Sequence, residues 1–100
     1  MGQVYMKIHR VRGEVIVAVC DAELLGRSFQ EGLLRLDVSE EFYGGLLVPI
    51  SIALEEVNRA TIANLVGRDI VNAAVERGLV HEDAVIFIKG VPHAQIVRMM

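Results

Sequence analysis

His93 follows Pro92 and precedes Gln95 by two residues, in the segment Gly90-Val91-Pro92-His93-Ala94-Gln95. An imidazole near a carboxamide can orient a polar ligand, and His changes charge near neutral pH. A second segment, Ser39-Glu40-Glu41-Phe42-Tyr43-Gly44-Gly45, sets two carboxylates and a phenol beside two glycines. Glycine permits backbone shapes that other residues resist, and proline fixes its own φ. If the two loops meet, Glu40, Glu41 or Tyr43 supplies the partner that a histidine base needs. Tyr43 and His93 are therefore expected on one side of the fold, near a common ligand.

Each segment also has a plain structural reading. Ser39 can cap a short helical turn, with Glu40 and Glu41 at its positive end and Gly44-Gly45 as its stop. His93 can bond a backbone carbonyl at the end of a hairpin. Gly44-Gly45 is not a phosphate-binding loop, because no Gly-Lys-Ser/Thr follows.

A third group is cationic. Lys7, His9 and Arg10 lie on one amino-terminal segment, with Arg12 just beyond it. By strand parity, Lys7, His9 and Arg35 are expected to share an exposed sheet face able to touch phosphates. Aromatic residues that could stack bases are few there; Tyr5 is the one on that parity. The alternative is a set of solvated strand positions that discourage edge pairing.

Other residues carry less. His81-Glu82-Asp83 offers three consecutive ligand types, but neighbours in a turn rarely converge on one ion, and no metal site is assigned. Cys20 is the sole cysteine, so no internal disulfide forms. A thiol beside Asp21 is discouraged from ionising. Asn58, Thr61 and Asn64 are explained by capping at a helix break.

The elements that must position these residues follow from periodicity. Val4 to Val11 alternates, Arg12-Gly13 gives a turn, and Glu14 to Cys20 is rich in Val and Ile. Val15, Val17 and Val19 share one face, and Ile16, Ala18 and Cys20 share the other. A strand apolar on both faces belongs inside a sheet. Asp21 to Gly26 reads as one helical turn capped by Asp21. Leu33 to Val38 reads as a third strand, and Leu46 to Val48 as a short edge strand ending at Pro49. Ile50, Leu54 and Val57 recur at helical spacing from about Pro49 to Asn58, and helix is expected to continue, after a kink or a break, from Thr61 to Val66 with Gly67 as its stop. Ile70, Val71, Ala74 and Val75 form a second apolar stripe. Val85 to Ile88 and Ala94 to Arg98 flank a loop over Lys89 to His93. The sum is a single α+β domain over residues 1–100: a two-layer sandwich with a mostly antiparallel sheet and helices on one face.

Composition bounds the partners. The chain has 100 residues, of which 53% are hydrophobic, and a net charge of −3. So apolar a small domain points to self-association, here a homodimer. The negative balance argues against tight nonspecific nucleic-acid binding, but permits a local basic face. The amino terminus carries no secretory signal pattern and no run is apolar enough for a membrane helix, so a cytoplasmic protein is expected.

Four stretches together carry a resemblance: Met6 to Glu14, Asp37 to Gly45, Thr61 to Gly67, and Ile88 to Gln95. In order and over essentially the whole chain, they closely resemble the archaeal family catalogued as domain of unknown function 424. Phe42, Tyr43, Gly44, Gly45, Asn64, Gly67, Pro92, His93 and Gln95 match that family's pattern. The resemblance implies a small archaeal cytoplasmic α+β protein and brings no activity, cofactor or catalytic residue. No catalytic residue and no cofactor are assigned from the sequence.

Two main functions compete. One is a non-enzymatic binding module for RNA or a ribonucleoprotein, contacting phosphate through Lys7, His9, Arg10, Arg12 and Arg35. The other is a small-molecule-binding protein or enzyme, using Glu40, Glu41, Tyr43, Gly44, Gly45, Pro92, His93 and Gln95. A third, a structural subunit of a protein complex, would work through apolar surface. The first is favoured.

Overall fold

A computed structural model describes residues 2–98. Eight strands and three α-helices follow in chain order: β1 (Gln3–Val11), β2 (Glu14–Asp21), β3 (Ser28–Glu31), β4 (Leu34–Asp37), α1 (Glu40–Tyr43), β5 (Leu46–Pro49), α2 (Ile50–Arg59), β6 (Ile62–Val66), α3 (Arg68–Glu76), β7 (Ile86–Ile88) and β8 (Val91–Val97). Six strands form one sheet in the order β5-β1-β2-β6-β8-β7, and β3-β4 form a separate hairpin. The expected α+β class holds. β2 and β6 run parallel, and every other neighbouring pair described is antiparallel.

The two terminal hairpins belong to the same sheet, as their period-two patterns require. Arg12 and Gly13, both at positive φ, make the two-residue turn between β1 and β2. The apolar β2 lies between β1 and β6, and its two faces feed two cores. Val17 and Val19 pack with Leu54 and Val57 of α2 and Ile70 and Val71 of α3. Ala18 and Cys20 pack on the opposite face with Leu24, Leu36, Val38, Tyr43 and Ile88. The two longer helices cover one face as expected. The small hairpin and α1 cover part of the other, which makes that face less open than a two-layer reading implies.

Three local expectations are corrected. Residues 62–66 form a strand, not a helix. Helix α2 stops at Arg59 because Ala60 is extended, and Arg98 Nη1 donates to the Val57 and Ala60 carbonyls at 2.9 and 2.8 Å. Thr61 then bridges to Val15, its hydroxyl accepting from the amide and donating to the carbonyl, which sets β6 in register beside β2. Gly67 starts α3 instead of ending a helix. Its φ of 117° suits glycine, and a Cβ there would overlap the Asp21 carboxylate. The strand expected over Leu33 to Val38 exists as β4 (Leu34–Asp37), but pairs with β3 outside the main sheet, a partner whose Ser-Phe-Gln-Glu sequence, exposed except for the half-buried Phe29, gives no alternation.

Among the described residues no helix is long and apolar enough to cross a membrane.

Candidate functional site

The Ser39–Gly45 segment folds as its capping pattern dictates. The Ser39 hydroxyl accepts from the Phe42 amide at 3.2 Å, and Glu40 and Glu41 lie exposed in the first turn of α1. Two of the cationic side chains hold the far end of this turn. Lys7 Nζ donates to the Glu41 carbonyl at 2.8 Å, and His9 Nε2 lies 2.9 Å from the Phe42 carbonyl. A carbonyl only accepts, so His9 Nε2 carries the proton. The His9 ring also stacks on Phe42, with centroids 4.9 Å apart. Gly45 lets this turn lie directly on β1, since a Cβ there would overlap the Met6 carbonyl. Gly44 closes the turn through its amide, which bonds the Glu40 carbonyl at 2.8 Å.

Tyr43 occupies the second core and is 4% exposed. Burial, with Cys20 nearby, pushes its phenol up to about 12. Its ring is a packing group of that core. Tyr43 and His93 lie on the same side of the sheet, with the Tyr43 ring in the core and His93 on β8 beside Val66.

Pro92, His93 and Gln95 are strand residues, not loop residues. The turn between β7 and β8 is only Lys89-Gly90, both at positive φ. Pro92 is buried toward the helices, while His93 and Gln95 face the other way. His93 Nδ1 lies 3.1 Å from the Leu65 carbonyl, so it holds the proton and leaves the neutral ring's lone pair on Nε2. Gln95 Nε2 donates to Asn64 Oδ1 at 3.2 Å across the β6-β8 pair.

The expected basic face is not assembled on the sheet. Arg35 is on the small hairpin, where its Nε bonds both Asp37 carboxylate oxygens at 3.1 Å and Nη1 reaches Gln30. Arg35 and Glu40 line a cavity of about 440 Å³ beside that hairpin. Arg10 and Arg12 are exposed at the β1-β2 turn, and Arg10 is paired in register with Val15.

A different cluster does converge. At the carboxyl ends of β2 and β6 lies a cavity of about 430 Å³, lined by Glu23, Arg27, Phe29, Arg68, Asp69 and Lys89 among others. The three cations come from three separate segments: the approach to β3, the start of α3, and the β7-β8 turn. Arg27 lies over the Phe29 ring with its guanidinium carbon 5.1 Å from the centroid. The Lys89 amide donates to Glu31 of β3, which joins the β7-β8 turn to the hairpin wall. None of the three cationic side chains forms a salt bridge among the described residues.

Asp21 forms the floor of this cleft. It is 2% exposed, and its two oxygens accept from the Asp69 and Ile70 amides at 2.9 and 3.0 Å. The expected local cap does not form: Asp21 makes no side-chain bond to the turn that follows it. Burial outweighs these amide bonds and raises its carboxyl above the usual aspartate range. Burial, then the charges of Asp21 and Glu23, likewise pushes the Cys20 thiol up to about 12.

Sequence reasoning missed Arg27, Arg68 and Lys89 as a group. The signal that unites them is the parallel pairing of β2 with β6, hidden while residues 61–66 read as helix.

The model of the family described as "Protein of unknown function (DUF424)" matches residues 9–99. The chain belongs to the DUF424 family. A solved structure described as an uncharacterized conserved protein from Methanopyrus kandleri is similar over 99% of this chain and 96% of that one. It shares 27% identity, with a TM-score of 0.82. No curated protein matches the chain. The family description and that of the similar structure name no activity.

Proposed function

We propose that this DUF424 chain is a non-enzymatic binding module for RNA, alone or within a ribonucleoprotein, and that it holds phosphate in the cleft at the ends of β2 and β6. The observation that carries this reading is the convergence of Arg27, Arg68 and Lys89 on one cavity without salt-bridge partners among the described residues. Cations already paired with carboxylates have less to gain from a phosphate, whereas unpaired ones gain charge-assisted hydrogen bonds. RNA binding needs such groups because phosphate neutralisation supplies much of the affinity.

The same reasoning ranks the other cations. Lys7 and His9 are used in holding α1, and Arg35 is tied to Asp37. Arg12 sits at the opposite end of β2 from the cleft, about 20 Å away at the rise of an extended strand. A catalytic reading gains no support from Tyr43, which is buried.

Titrating the isotope-labelled protein with a short single-stranded RNA and following backbone amide shifts tests this reading. The expected shifts centre on Arg27, Arg68, Lys89 and Gly90. Shifts centred on Arg10 to Gly13, or none at low salt, would overturn it.

A further inference from the structure

The parallel pair gives this cleft a more specific meaning. After β2 the chain passes to the face carrying the β3-β4 hairpin, and after β6 it passes to α3 on the opposite face. Adjacent parallel strands whose following segments leave on opposite faces open a crevice at their carboxyl ends, where open sheets hold ligands. The cleft occupies that crevice.

Its chemistry is mixed, and the mixture is informative. Two of the α3 amides that could receive a phosphate, those of Asp69 and Ile70, are taken by Asp21. A phosphate in the cleft then draws chiefly on the side chains of Arg27, Arg68 and Lys89. Glu23 lines the same cavity and has no hydrogen bond or salt bridge among the described residues. A carboxylate accepts but does not donate, so it calls for a donor on the ligand, a part that a ribose hydroxyl can fill. The Arg27 guanidinium layered on Phe29 adds a planar, polarised surface of the kind on which bases stack. The cavity of about 430 Å³ is of the size that holds one small ligand.

We infer that the crevice is a socket for a single ribonucleotide with a free 2′,3′-cis-diol. In this socket the phosphate meets Arg27, Arg68 and Lys89, and the diol donates to Glu23. That chemistry is shared by a free ribonucleotide and by the 3′-terminal nucleotide of an RNA. The polymer form rests on the RNA-binding reading above; the free form does not.

Calorimetry with adenosine 5′-monophosphate and its 2′,3′-dideoxy analogue tests the socket in the full chain. The diol form is expected to bind at least about tenfold more tightly, the scale of hydrogen bonds to a charged group. Glu23→Ala should erase that preference, and Lys89→Ala should weaken both probes. Equal binding of the two probes, a preference that survives Glu23→Ala, or no saturable binding at millimolar concentration would overturn the socket. A second arm compares a short RNA ending in a 3′-diol with the same RNA ending in a 3′-phosphate. Preference for the diol end supports the polymer form. RNA binding that needs Lys89 but ignores the 3′ end overturns the polymer form of the socket and leaves the RNA reading intact. Diol-selective binding of the mononucleotide without RNA binding supports the socket and overturns the RNA reading.

Discussion

Asp21 Oδ1 accepts a hydrogen bond from the Ile70 amide at 3.0 Å, joining the end of β2 to the start of α3 across 49 residues of sequence. Its second oxygen takes the Asp69 amide at 2.9 Å. A helix leaves its first amides without internal partners, and this buried carboxylate satisfies two of them. The bond pair fixes the floor of the cleft.

Asp21→Ala should lower stability by about 2–3 kcal/mol, the combined scale of a lost cap and of buried donors left unmade. Asp21→Asn keeps one acceptor oxygen but turns an amide nitrogen toward an N–H, and should fall between. Urea unfolding measures both. An Ala variant as stable as the parent would contradict this role.

Cys20 is fully buried, and its thiol is pushed up to about 12 by burial and by Asp21 and Glu23. The thiolate is the reactive form, so little is present at pH 8. A disulfide reagent such as DTNB should label the native chain slowly at that pH and the urea-unfolded chain rapidly. Prompt stoichiometric labelling of the native chain would contradict the burial argument.

Much of the fold is legible because local pattern and tertiary role agree. β1 and β2 announce themselves through alternation and the Arg12-Gly13 turn, and α2 and α3 through their apolar stripes. Residues 62–66 are not legible in the same way. They follow a helix directly, and what makes them a strand is their pairing with β2, with Thr61 bonded to Val15 and Arg98 holding the end of α2. The site is less legible than the fold. Tyr43 reads as a loop phenol, yet it fills a core that exists only because the β3-β4 hairpin covers the sheet. Arg27, Arg68 and Lys89 are scattered in sequence and meet only through the parallel pairing. Asp21 looks like a local cap because its true partners lie 48 and 49 residues away.

Self-association remains our proposal, and β5 is where we expect it. This edge strand exposes Leu46 at 69% and Leu47 at 48%. An unpaired edge with apolar side chains favours a second strand. Light scattering after size exclusion should report a homodimer that Leu47→Lys shifts toward monomer. A parent chain that stays monomeric across a wide concentration range would remove the idea.

The salt dependence of RNA binding by the parent, Lys89→Ala and Arg10→Ala chains tests the central claim most directly. Fluorescence anisotropy of one labelled single-stranded RNA, measured over a range of salt concentrations, gives the slope of log affinity against log salt. The parent should bind more weakly as salt rises, because released counterions are then worth less. Lys89→Ala should weaken binding and reduce the slope by about one, the signature of a lost phosphate contact. Arg10→Ala, on β1 and away from the cleft, should leave the slope unchanged. A slope that Lys89→Ala leaves intact and Arg10→Ala reduces would contradict the cleft as the phosphate site.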